Sequence, residues 1–274
     1  MIGRVARLEQ WWAVNVRQTV AVSQWRTPLL VVAWIPITLF LDHNASLTLQ
    51  NLLGVVTWAL LLLLLAAEVP LVRVQTAVVV VFATAVEFTF SPWLEVYTYR
   101  LHNVPAFVPP GHGLVYLAAL ALARTDFFRM NARTLVTATL AVGAVYAAWG
   151  ISPLAPRPDV LGMFWFLCLV GFLLWGRSRL LYVGAFAVVT YLEVIGTSLG
   201  VWTWAPYDPT GIVSMGNPPS GAAGGYGWFD LVAVSFAPAV LVAVSVVSST
   251  ATERLEQLRM KKSVRRQSVA ADEG

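Results

Sequence analysis

Residues 52–67 read L-L-G-V-V-T-W-A-L-L-L-L-L-L-A-A, sixteen residues without a single charge. Such a run has no polar face to turn toward water. A helix rises about 1.5 Å per residue, so about 20 residues cross a hydrocarbon core of about 30 Å. With a few flanking residues this stretch is long enough, and it sets the reading of the whole chain. Seven more apolar segments share its character, roughly 27–41, 75–94, 112–124, 134–153, 160–175, 180–200 and 226–249. The segments at 27–41 and 112–124 are short and borrow flanking residues; Arg124 closes the second. Backbone polar groups in lipid must be bonded within their own segment, so all eight read as helices. Pro36 and Pro238 fall inside two of them and predict kinks.

Composition agrees. Of 274 residues, 58% are apolar and 12% charged, with a mean hydropathy of +0.71. Soluble domains carry about 25% charged residues. A chain this poor in polar side chains cannot cover its own surface in water. The expected fold class is all-α, a polytopic integral membrane bundle of about eight transmembrane helices. The net charge of +4 gathers in the C-terminal tail. That distribution suits anionic lipid headgroups and argues against nucleic acid as a partner. Cys168 is the lone cysteine, which excludes a disulfide framework and a CxxC motif. No GxxxxGK[ST] loop occurs, and no GxGxxG follows a strand pattern, so no nucleotide and no cofactor is expected. Residues 1–26 hold four arginines and Glu9 without an apolar run, unlike a secretory signal.

The basic residues predict orientation. With the N-terminus in the cytoplasm, sixteen Lys and Arg fall on inner segments, and only Arg100 and Arg157 fall outside. This is the positive-inside pattern of a multi-pass cell-membrane (inner-membrane) protein with both ends cytoplasmic. The chain divides into an interfacial N-terminal segment (1–26), a first four-helix half (27–130), a second four-helix half (131–250) and a basic cytoplasmic tail (251–274). The first segment sets Trp11, Trp12 and Trp25 among arginines, as headgroup-level helices do.

The halves rest on an internal repeat. Residues 86–99 read V-E-F-T-F-S-P-W-L-E-V-Y-T-Y, and 192–204 read L-E-V-I-G-T-S-L-G-V-W-T-W. After a loop come F-V-P-P-G-H-G-L-V-Y (107–116) and G-N-P-P-S-G-A-A-G-G-Y (216–226). Glu87 answers Glu193, Tyr97 answers Trp202 and Pro109 answers Pro218, at offsets of 106, 105 and 109. Four helices per half give both halves one orientation and an axis along the membrane normal, with a shared site where they meet. Each Pro-Pro pair suits a helix start. The small residues after it allow close packing or the approach of an anion to a helix N-terminus.

The acids carry the chemistry. Glu87 and Glu193 lie deep in equivalent helices, where an ionised carboxylate costs about 2.5–3.5 kcal/mol and therefore turns inward and finds partners. Asp230, at the start of the last helix, is a third candidate; Glu95 and Asp208 are loop acids. These three buried acids are the candidate catalytic groups, with Glu193 and Glu87 as proton donor and counter-ion and Asp230 as the alternative acid. The candidate substrate-binding residues are Tyr97, Tyr99, Arg100, His102, His112, Trp202, Trp204, Asn217 and Tyr226. Arg100 is placed to pair with Glu95 or Glu87 or to meet an anionic substrate. The aromatic rings belong to an interfacial belt or wall a pocket whose π faces stabilise a cation. His43, His102 and His112 all fall on the outer side, but no HExxH or HxxxH spacing exists and no metal is expected.

The run Glu193-Val-Ile-Gly196-Thr-Ser-Leu-Gly200-Val-Trp202-Thr-Trp204 resembles the E-x-x-G…G-x-Y-x-Y pattern of membrane carotenoid hydratases. The stretch G-V-W-T-W…G-N-P-P, followed by Phe229, is similar to the G-x-W-x-W…G-x-P-x-E-E-x-x-F-F motif of the heterodimeric-type lycopene cyclase domain. The cyclase Glu-Glu is absent, with Gly221 and Ala222 in that neighbourhood. Pro-Pro-Gly-His112 is similar to the P-S-G-H of membrane lipid phosphatases, whose other basic and histidine motifs are missing. The carotenoid families are all-helical membrane enzymes, and resemblance to them implies protonation of an isoprenoid double bond by a buried acid. The expectation is a membrane enzyme acting on a lipid or isoprenoid, carotenoid-like substrate by acid-assisted chemistry near the outer leaflet. The alternative is a proton- or cation-coupled transporter or lipid-binding protein. A third option is a scaffold that recruits partners through its tail.

Overall fold

The computed structural model describes residues 24–244. The rest of the expected interfacial segment and the basic tail lie outside the described residues. The chain is mostly helical. Helices α1 (Arg26–Asp42), α2 (Leu47–Ala66) and α3 (Pro70–Phe88) come first, and α3 runs on into a π turn, Thr89–Trp93. Strand β1 (Tyr97–Tyr99) and helix α4 (Val108–Arg124) follow, then a short α5 (Asp126–Met130). The pattern continues with α6 (Ala132–Gly150), α7 (Val160–Trp175), α8 (Arg179–Ser198) and β2 (Trp202–Trp204). Helix α9 (Ala222–Val244) is the last described.

Among the described residues, five helices are long and apolar enough to cross a membrane: α2, α3 with its π turn, α6, α8 and α9. Helices α1, α4 and α7 are shorter, at 17, 17 and 16 residues. As far as residue 244, the apolar segments coincide with helices, but their ends are set by other residues. Helix α4 begins at Val108, ahead of its apolar run, because Pro109 and Pro110 occupy its first turn. Ser46 caps α2 by accepting from the Leu49 amide, and Asp159 caps α7 by accepting from the Gly162 amide. The outward faces are as apolar as the core: Leu63 is 72% exposed and Val81 71%. Only a lipid solvent makes such faces cheap.

Helix α4 is central. Twelve of its seventeen residues are buried. It packs against α8 so closely that a Cβ on Gly184 would sit 2.7 Å from the Ala119 carbonyl oxygen. The start of α9 lies closer still to α7, with Gly221, just before the helix, and Gly224 facing the α7 backbone at Gly162 and Trp165. The Glu68–Arg124 ion pair (3.0 Å) ties the α2–α3 turn to the end of α4.

The two strands were not read from the sequence. They pair antiparallel, Tyr97 with Trp204, Thr98 with Thr203 and Tyr99 with Trp202. The pairing is symmetric about the Thr98–Thr203 rung: Arg100 donates its amide to Val201, and Ala205 donates its amide to Val96. Both strands are entered through a left-handed residue, Glu95 (φ 51°) and Gly200 (φ 68°). The first motif carries one more residue than the second, because ten separate Glu87 from Tyr97 and nine separate Glu193 from Trp202. The π turn takes up that residue: Val96 bonds back to Phe90, whereas Val201 bonds back to Gly196.

Candidate functional site

Alternate residues of a strand share a face. Tyr97, Tyr99, Trp202 and Trp204 therefore all turn into the protein and are buried, while Thr98 and Thr203 turn away. Their rings form a wall, with Tyr97 and Trp204 centroids 4.6 Å apart and Tyr99 and Trp202 6.1 Å apart.

Each acid is held by the strand that follows its own helix. The Tyr97 and Tyr99 hydroxyls both donate to Glu87 Oε2 at 2.9 Å. His112 Nε2 lies 2.8 Å from Glu87 Oε1. The Trp202 and Trp204 indoles both donate to Glu193 Oε2, at 3.0 and 3.1 Å. Glu193 Oε1 makes no hydrogen bond among the described residues. Gly196 explains part of this geometry. The Trp202 ring lies where a Cβ at Gly196 would stand, one turn beyond Glu193, and so the indole N–H can fold back onto the carboxyl.

Both acids border one cavity of about 360 Å³. Its wall is almost wholly apolar and includes the four strand rings, His112 and Tyr226. His112 stacks on Tyr226 (centroids 5.1 Å) and meets Phe229 edge-on. Helices α1, α3, α4, α7, α8 and α9 all contribute to it. The fold thus brings together eight of the candidates: Glu87, Glu193, Tyr97, Tyr99, His112, Trp202, Trp204 and Tyr226.

Four candidates stand elsewhere. Asp230 is buried but does not border the cavity, because it lies one turn further along α9 than Tyr226. Arg100 meets neither Glu95 nor Glu87. Its guanidinium donates to the Asp42 and Ala45 carbonyl oxygens, at 2.8 and 2.7 Å, and fastens the α1–α2 turn. Arg157 does the same for the segment between β2 and α9, donating to the Trp204 and Gly216 carbonyls. Burial lowers the pKa of its guanidinium from the usual value, against the opposing pull of nearby Asp159. His102 is exposed at a left-handed turn (φ 54°). Asn217 is exposed, and its side-chain oxygen accepts from the Trp204 amide.

Sequence reading also passed over several residues. Trp165 borders the cavity and meets Trp204 edge-on at 5.7 Å, but it sits in an apolar run that gives no sign of it. Asp159 accepts from the Gly162, Gly216 and Ser220 amides and pins the loop before α9. Among the described residues, no group of three His, Cys, Asp or Glu side chains is placed to hold a metal ion. His43 instead bonds the Leu199 carbonyl oxygen at 2.7 Å.

No protein family, curated protein or solved structure matches the chain.

Proposed function

We propose that this chain is an integral membrane enzyme that protonates an apolar, isoprenoid-like substrate in the cavity between Glu87 and Glu193. The observation that carries this reading is the contrast between the two acids on one ring-walled, nearly apolar void. Glu87 is met at both oxygens, by two tyrosine hydroxyls and a histidine. A hydrogen bond to a charged group contributes about 1.5–3 kcal/mol. Three of them exceed the cost of about 2.5–3.5 kcal/mol for a carboxylate in the bilayer. Glu87 is thus suited to be the anion, and Glu193, with one oxygen unbonded, to be the proton donor.

In this reading the O–H bond at Glu193 Oε1 breaks as a C–H bond forms at one alkene carbon. The π pair supplies the new bond and leaves a cation on the other carbon. The Trp202, Trp204, Tyr97 and Tyr99 faces stabilise that cation through their negative quadrupoles. The Glu87–His112 pair then takes a proton, either from an adjacent carbon to form a new double bond or from a water that captures the cation. Return of that proton to Glu193 resets the site. The volume lies in the lower part of the range of about 300–1,000 Å³ for small-molecule sites. It therefore suits one end of a long isoprenoid.

The proposed setting is an eight-span bundle of two four-helix repeats in the cell membrane, with both termini cytoplasmic. Its support is the symmetric β1–β2 pairing, the matching left-handed residues Glu95 and Gly200, and the sixteen-to-two distribution of basic residues. The site then lies near the outer leaflet.

The test uses the full chain in nanodiscs, a panel of acyclic and cyclic isoprenoids, and D2O as solvent. Carbon-bound deuterium in a substrate or product, lost in Glu193→Gln, is expected. Absence of incorporation across the panel, with proton-gradient-dependent uptake of the same compounds into vesicles, would instead assign the cavity to a carrier.

A further inference from the structure

A second buried polar cluster lies one helical turn below the cavity, and the chemistry above does not use it. Helices α4 and α9 carry matched pairs of polar residues at four-residue spacing, His112 and Tyr116 on α4, Tyr226 and Asp230 on α9. Residues at that spacing share a helix face and lie about 6 Å apart along the axis. His112 stacks on Tyr226 in the upper rung. In the lower rung Tyr116 lies within electrostatic reach of Asp230, and also of Arg124, Glu68 and Tyr182. Tyr182 on α8 also lies within electrostatic reach of Asp230.

Three members of this line are buried, with His112 5%, Tyr116 1% and Asp230 5% exposed, and Tyr226 is half-buried. Among the described residues His112 Nδ1, the Tyr116 hydroxyl and Asp230 Oδ2 have no hydrogen-bond partner. One such atom in a helical core is a local cost; three on adjacent turns of α4 and α9 form a cluster. Buried groups of this kind are ordinarily joined by internal water.

We propose that Tyr116 and Asp230 form a water-bridged proton relay that connects the His112–Glu87 pair with the Glu68–Arg124 end of the bundle. A proton taken up at Asp230 Oδ2 passes to the Tyr116 oxygen, which releases its own hydroxyl proton to His112 Nδ1. His112 then gives its Nε2 proton to Glu87 Oε1. At each step one bond to hydrogen forms and one breaks, so the relay moves a single proton and consumes nothing else. It rests on the functional reading only in naming Glu87 as a proton acceptor.

The chain has three histidines, so ¹⁵N-histidine labelling resolves the His112 ring in the full-length protein in nanodiscs. Exchange of its ring protons with water is measured without any substrate. Tyr116→Phe and Asp230→Asn are each expected to slow that exchange by about tenfold, the factor that one lost hydrogen bond carries, with His43 and His102 unchanged. Tyr116→Phe removes only a hydroxyl and keeps the test available if Asp230→Asn fails to fold. Unchanged His112 exchange in either folded variant overturns the relay. Because no turnover is read, the relay can fail while deuterium incorporation stands, or stand while incorporation fails.

Discussion

Glu87 and Glu193 sit at matching places, yet their surroundings differ in kind. Around Glu87 the partners are hydroxyls and an imidazole, groups that can give up a proton and take it back. Around Glu193 they are indoles, which only donate and never exchange roles. One strand pair therefore supplies two environments from one geometry, simply by carrying Tyr-Thr-Tyr on one side and Trp-Thr-Trp on the other. The lesson is that two carboxyls delivered by similar turns are set apart by the rings that face them, while the backbones differ by the one residue that the π turn takes up.

The largest expected effect tests that division of labour. Glu193→Gln should lower deuterium incorporation by about 10²–10⁴-fold, the usual worth of a positioned acid. Its unfolding temperature should hardly move, because the amide oxygen still accepts both indole N–H groups. Glu87→Gln breaks the symmetry of that result. One of its two accepting oxygens becomes an NH2, which faces either the hydroxyl pair or His112. A loss of about 1–3 kcal/mol is expected, measured as a lower denaturation midpoint; equal midpoints for the two variants would dissolve the contrast.

A smaller effect concerns the turns that deliver the rings. Gly196→Ala places a methyl inside the Trp202 ring space and should cost about 1–3 kcal/mol by overpacking. It should also shift indole fluorescence as Trp202 leaves Glu193. Glu95 is the place where the first motif departs from the second, a non-glycine residue at φ 51°. Left-handed geometry costs a side-chain-bearing residue about 1–2 kcal/mol. Glu95→Gly should therefore stabilise the fold by up to about that amount, and Gly200→Ala should destabilise it by a similar amount; thermal melts of both variants give the two signs.

The smallest effect lies in the exposed loop after β2. Asp208 accepts from the Thr210 hydroxyl and from the Ile212 and Val213 amides. Those bonds, the Thr210 hydroxyl first, hold its pKa below the ordinary 3.8. A lowered carboxylate pKa contributes stability at higher pH that is lost as pH falls through the folded value. Protection of the Val213 amide, taken relative to its intrinsic exchange rate at each pH, should therefore hold above pH 3.8 and fall below it.

Much of the bundle was legible because lipid leaves the sequence few choices. Long uncharged runs such as residues 52–67 read directly as helix, and the buried acids stood out against them. The strands were not legible. Three residues are too few for a pattern of alternation, and the partner of Thr98 lies 105 positions away. Arg100 and Asp159 were misread or missed for one shared reason: both spend their hydrogen bonds on backbone groups, which every residue carries. The aromatic residues at the site could be named in advance, but whether each ring would meet an acid, a lipid or another ring depended on the strand register.

The 105 positions between Thr98 and Thr203 also set an order of events during synthesis. At about 5–20 residues per second, β1 exists for about 5–20 s before β2 leaves the ribosome. An unneutralised Glu87 would be a liability throughout that wait. Yet all three of its partners, Tyr97, Tyr99 and His112, belong to the portion already made, and Glu193 likewise finds Trp202 and Trp204 within its own portion. Each nascent portion can thus settle its own charge in the bilayer, and only the strand edge and the closed cavity must await the second arrival.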